Sequence, residues 1–150
     1  MRRTQMLSRD FKEFVALLNA HGAEYLVVGG YAMAVHGRPR QTGDLDIWLK
    51  RDHDNALRVM AALQDFGFGD LGLSTGDFEI RDQVVQLGYP PFRIDLLTDI
   101  DGVAFDAAWP SRFEHQLGDL RIPFIGLDAL KANKRASGRP RDIDDLENLP

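Results

Sequence analysis

Two carboxylates, Asp44 and Asp46, stand one residue apart in the stretch Asp44-Leu45-Asp46-Ile47-Trp48-Leu49, and a third, Asp95, lies inside the run Phe92-Arg93-Ile94-Asp95-Leu96-Leu97. Alternate residues of a strand share a face, so Asp44 and Asp46 project together, about 7 Å apart at Cα. Side chains at that spacing can converge on divalent cations. The plain alternative is an exposed edge carrying solvated acids. Leu45, Ile47, Trp48 and Leu49 argue against it by marking the strand as interior, and Asp95 stands where packing alone would take an apolar residue. Like charges buried side by side need a counter-ion or a bound proton. With one or two Mg²⁺ ions the three acids become a centre able to align a nucleophile with a triphosphate.

A second feature lies just upstream. Tyr25-Leu26-Val27-Val28 ends in Gly29-Gly30. A strand stopped by glycines lets the backbone approach a ligand closely, and a helix beginning there aims free N–H groups at a phosphate. A third feature is a cationic strip. Residues 131 to 141 hold Lys131, Lys134, Arg135, Arg139 and Arg141 and no acid, whereas the net charge of the 150-residue chain is -5. Lys131, Lys134 and Arg135 fall at helical spacing on one face, suited to β- and γ-phosphates. The acidic balance of the rest argues against coating of bulk DNA.

Several chemistries are excluded. There are no cysteines, so thiolate catalysis and Cys-based zinc sites are out, and hard, oxygen-loving metals become the default. The four histidines are too scattered for a zinc pair. His36 alone lies near the motif, where packing or capping is its expected role, and Ser74 and Ser111 lack a partnering His–Asp pattern.

These residues need positioning elements. Ser8 or Asp10 caps a helix with Phe11, Phe14, Val15 and Leu18 on one face, ending at Gly22. Residues 25–28 read as a buried strand, 31–37 as a brief helix, 38–43 as a loop and 44–49 as a strand. A second helix starts near Asp52, runs along Leu57, Met60 and Leu63, and closes at Gly67. Residues 67–76 read as a glycine-rich loop without phosphate-loop spacing. Residues 83–87 and 92–97 read as strands, and 103–117 is ambiguous between helix and strand. Residues 127–135 form a helix, and Pro140 opens a last one with an apolar stripe of Ile143, Leu146 and Leu149. At 44% hydrophobic and 27% charged, the chain suits one globular domain over residues 1–150. Its longest apolar or glycine run, residues 26–35, falls short of the roughly 20 residues of a membrane helix. No apolar stretch of the kind a secretory signal needs follows Arg2-Arg3, so a cytoplasmic protein is expected.

Taken in order, Gly29-Gly30, a short helix, Asp44-Leu45-Asp46-Ile47 and later Ile94-Asp95-Leu96 resemble the signature of the DNA polymerase β-like nucleotidyltransferase superfamily. Arg40-x-Thr42 before Asp44, and the terminal Lys…Arg-Pro-Arg-Asp-x-x-Asp, resemble the branch of abortive-infection type IV toxins and small toxin–antitoxin nucleotidyltransferases. The resemblance implies an α/β (α+β) fold, the minimal nucleotidyltransferase fold, with a small mixed sheet, helices mainly on one side and a C-terminal helical pair. It further implies that Gly29 and Gly30 hold nucleotide phosphates, that Asp44 and Asp46 bind Mg²⁺, and that Asp95 completes a second metal site and helps activate the acceptor. Arg40 and Thr42 match positions that contact the incoming nucleotide. Asp142 and Asp145 match the family's terminal acids, although Asp142 reads equally as a first-turn charge beside a helix dipole.

The activity so implied is Mg²⁺-dependent transfer of a nucleoside monophosphate from an NTP to a hydroxyl of tRNA, a partner protein or a small molecule, with a cognate toxin or antitoxin as a further partner. A non-catalytic, nucleotide- or partner-binding member of the fold is the alternative. A dinucleotide-binding protein is disfavoured, because Gly29-Gly30 lacks the third glycine of GxGxxG and that reading leaves Asp44 beside Asp46 unexplained.

Overall fold

The structure is a computed structural model that describes residues 8–38 and 43–150. Helix α1 (Arg9–Ala20) is capped by the Ser8 hydroxyl, which accepts from the Phe11 amide, and it buries Phe11, Phe14, Val15 and Leu18. Strand β1 (Tyr25–Val28) runs straight into α2 (Gly29–Val35), and β2 (Leu45–Leu49) follows. In α3 (His53–Phe66), Asp52 accepts from the Asn55 amide as N-cap, and the chain leaves at Gly67. A 3₁₀ turn at Thr75–Phe78, closed by a Ser74/Asp77 capping box, buries Phe78 and orders the glycine-rich loop. Then come β3 (Val84–Leu87), β4 (Ile94–Leu97), the single-turn α4 (Phe105–Ala108), β5 (Phe113–Leu117) and β6 (Leu120–Phe124). Helices α5 (Leu127–Ser137) and α6 (Pro140–Glu147) pack on each other as the expected C-terminal pair.

The strands form one mixed sheet in the order β3-β4-β2-β1-β6-β5. Strand β2 is antiparallel to β1 and parallel to β4, so the strand bearing Asp46 is interior, as its apolar residues require. The two faces differ. Leu45, Ile47, Ile94 and Leu96 turn toward α1: Tyr25, paired with Leu49, donates to Asn19 of that helix (2.7 Å), and Phe11 meets Phe92 edge to face. The opposite face carries Asp46, Trp48 and Asp95. There α4 covers Trp48 through Phe105, 5.1 Å between ring centroids.

Three expectations are corrected. The buried line of α3 is Asn55, Ala56, Val59, Ala62 and Leu63, and Leu57 is exposed, because the helix is rotated so that Asn55 can bond the ends of β1 and β2. In α6 the buried positions are Asp142 and Asp145, with Leu149 beyond the helix end, while Ile143 is 50% exposed. The partner offered by α5 is the Lys134 ammonium rather than an apolar surface. Strand β6 was not expected at all. Its signal is the tight turn at Gly118-Asp119, where Gly118 takes φ 61° between the paired residues Leu117 and Leu120, but Pro123 within the strand masks it. The ambiguous stretch resolves into α4, a 3₁₀ turn at Trp109–Ser111 and β5. No described helix is long and apolar enough to cross a membrane.

Candidate active site

Parallel pairing of β2 and β4 places Asp46 directly opposite Asp95. Asp95 is buried, at 7% exposure. Arg93, two residues earlier on the same face, donates from Nε to Asp95 Oδ1 (3.0 Å) and from Nη2 to Asp95 Oδ2 (3.2 Å) and to Asp44 Oδ2 (2.9 Å). One guanidinium thus gathers Asp44 and Asp95 around Asp46. Arg93 has no role in the sequence reading; its position at i-2 from Asp95, on the same side of an extended chain, was the available signal.

On the other edge of β2, Val28 pairs with Asp46, so Gly29 arrives beside the same carboxylate. Gly29 has φ 70°, and a Cβ there would lie 2.1 Å from Asp46 Oδ2. Both the backbone angle and the space demand glycine. Gly30 follows in the first turn of α2. Gly43 is also confined, since a Cβ on it would lie 2.8 Å from the Pro91 carbonyl; the turn before β4 therefore packs on the segment leading into Asp44.

The electrostatics follow from this crowding. Burial, then the charges of Asp95 and Asp44 and a hydrogen bond with Asp95, push the Asp46 carboxyl up to about 7, against the opposing pull of Arg93. Tyr31, buried against Phe11 with ring centroids 6.0 Å apart, is also raised, by burial and then by Asp44. Among the described residues no three acidic or histidine side chains form a ready-made metal cluster, Arg93 lying between Asp44 and Asp95. The donor set nevertheless fits a hard cation. It consists of carboxylate oxygens on adjacent strands, and one of them, Asp46, faces like charges that a divalent ion would offset.

Of the other expected site residues, Arg40 and Thr42 fall outside the described residues. Lys131 is half-buried and donates to the Pro150 carbonyl. The single cationic face is corrected: Lys134 is buried, with its ammonium 3.3 Å from Asp142 and 3.1 Å from Asp145. Asp142 also accepts from Ser137 (2.7 Å) and Arg139 (2.7 Å). Burial alone would raise the Asp142 carboxyl, but these hydrogen bonds and the Lys134 charge outweigh it and hold the group well below the usual carboxylate range. Lys134, Asp142 and Asp145 thus form an internal clamp between α5 and α6. His36 stands at the C-cap of α2, its backbone N–H bonding the Ala32 carbonyl, and its ring donates from Nε2 to the Ile125 carbonyl (2.7 Å).

Comparison with known proteins agrees with this architecture. Two solved structures are similar to this chain, and the first of them shares its fold. One is a proposed nucleotidyltransferase from Thermotoga maritima, 16% identical, with a TM-score of 0.63 over 93% of this chain and 89% of that one. The other is an antigenic nucleotidyltransferase-like protein from Paracoccidioides brasiliensis, 16% identical, with a TM-score of 0.47 over 94% and 76%. No curated protein gives a significant match. The family model for aminoglycoside-2''-adenylyltransferase matches residues 10–148, which takes in every described element of the site. The chain belongs to the aminoglycoside-2''-adenylyltransferase family, within the DNA polymerase β-like nucleotidyltransferase superfamily.

Proposed function

We propose that this protein transfers a nucleoside monophosphate from an NTP to a hydroxyl acceptor, with Asp44, Asp46 and Asp95 holding one or two Mg²⁺ ions. The observation that carries the reading is the register of Asp46 against Asp95, with Asp44 joined to Asp95 by Arg93 and Gly29 pressed against Asp46. Bound Mg²⁺ supplies charge neutralisation on the triphosphate and lowers the cost of an oxyanion. Gly29 and Gly30 leave the backbone at the head of α2 open to phosphate oxygens. The acceptor oxygen attacks the α-phosphorus in line, the bond to the β-phosphate oxygen breaks and pyrophosphate departs; Asp95 takes the hydroxyl proton. Catalysis is then mainly positioning and charge compensation.

The acceptor we favour is a small amine-bearing polyol. Two things support it: the description of the matching family, and the acidic character of the chain outside the cationic strip, which suits a cationic acceptor. A cytoplasmic location, where NTP is available, belongs to this reading. The toxin–antitoxin resemblance supplies two other acceptors, a tRNA 3′ end and a partner protein.

One assay separates these readings. Protein is incubated with Mg²⁺, each α-labelled NTP in turn, and an aminoglycoside panel, total tRNA or cell extract, with Asp46→Ala as control. Label on an aminoglycoside that depends on Asp46 is the expected result. Transfer to RNA or protein would reassign the acceptor, and no transfer to anything would leave a non-catalytic binding member of the fold.

A further inference from the structure

Arg93 uses the oxygens that a metal would need. Both oxygens of Asp95 accept from its guanidinium, and so does Asp44 Oδ2. A divalent cation on the same two residues competes for these lone pairs and is repelled by the arginine's charge. The guanidinium lies nearer solvent than the carboxylate it bonds: the Arg93 side chain is 28% exposed and that of Asp95 10%.

We propose that Arg93 is an internal counter-ion that holds the carboxylate cluster together in the metal-free protein and competes with divalent metal for it. The inference rests on the metal reading given above. It makes Arg93 a positioning residue whose bonds to Asp95 loosen when metal arrives. It also couples metal binding to nucleotide binding. Metal alone must displace a well-bonded guanidinium, whereas metal arriving with a triphosphate brings negative charge that can receive it. The free protein therefore binds metal weakly, and a divalent ion is not retained between turnovers.

The test is Mn²⁺ binding to the full chain without nucleotide, followed by electron paramagnetic resonance of the free ion. Arg93→Met and Arg93→Gln are the neutral variants, so one remains if the other fails to fold, and Arg93→Lys keeps the charge; circular dichroism checks each fold. The neutral variants are expected to bind Mn²⁺ about tenfold more tightly than wild type and to show a larger Mn²⁺-dependent rise in Tm, with the lysine variant near wild type. If wild type binds Mn²⁺ and the neutral variants bind it equally or more weakly, Arg93 is not a competitor and the proposal falls, while the transferase reading stands. If neither wild type nor the neutral variants bind Mn²⁺, the proposal falls, and the transferase reading is decided by the label-transfer assay.

Discussion

Asp46 on β2 and Asp95 on β4 are register partners across a parallel strand pair, so two carboxylates face each other at the centre of the sheet. This arrangement favours the empty protein only while a proton or a cation offsets it. The folded-state pKa of Asp46 lies above its unfolded value of 3.8. The stability it contributes is therefore complete below that pH and lost as pH rises through about 7. Asp46→Asn is expected to melt progressively higher than wild type between pH 5 and pH 8, by a few degrees, while losing about 100-fold or more in label transfer. A melting difference that does not change with pH would contradict this account.

Gly29 answers to two demands at once. Gly29→Ala imposes a positive φ on a residue with a Cβ, costing about 1–3 kcal/mol, and also drives that Cβ into Asp46 Oδ2. Denaturant unfolding should show the loss. Transfer should fall further than stability explains, because Asp46 must move. Gly22→Ala is the control: its positive φ is similar and it has open space around it.

The clamp between α5 and α6 behaves differently from a phosphate site. Lys134→Met removes the buried ammonium that bonds both Asp142 and Asp145, leaving Arg139 on Asp142, and should cost about 3–5 kcal/mol. Lys131→Ala should cost less than about 1 kcal/mol. A Lys134→Met protein of wild-type stability with a raised KM for NTP would restore the phosphate role.

Asp142 sets an acid limit. Its folded-state pKa is depressed, so its contribution is present above the ordinary carboxylate value and is lost as pH falls through the lowered one. Acid titration followed by circular dichroism should find Asp142→Asn less stable than wild type at pH 7, with the gap closing toward pH 2.

Asn55 is a prediction about the scaffold. Its side chain accepts from the Glu24 amide (2.7 Å) and donates to the carbonyls of Glu24 (2.9 Å) and Lys50 (2.8 Å). Asn55→Ala strands the Glu24 amide and the Lys50 carbonyl, the Glu24 carbonyl still accepting from the Lys50 amide (3.1 Å), and should lower stability by about 2 kcal/mol or more, read from chemical denaturation.

The carboxylate triad was legible because its residues break local patterns: an acid inside an apolar strand is costly enough to announce itself. Strands β1, β2 and β4 and the cap of α1 were legible for the same local reasons. What was not legible depends on partners distant in sequence. Period alone makes Ile143 and Leu146 the buried face of α6. The real face is set by Lys134, whose burial becomes favourable only because Asp142 and Asp145 meet it. Leu57 likewise yields its place to Asn55, whose value lies in groups 31 residues away. Arg93 was visible, but its grip on Asp44, 49 residues distant, needs the β2–β4 register.

That register also bears on motion. Strand β2 spends the hydrogen bonds of one edge on β1, which delivers Gly29, and those of the other on β4, which delivers Asp95. No hinge separates the three. Amide protons at Ile47 and Leu96 should therefore exchange with solvent only through global opening. In the proposed transfer, whatever opens and closes must lie outside this seam, and the three carboxylates would be the stationary half.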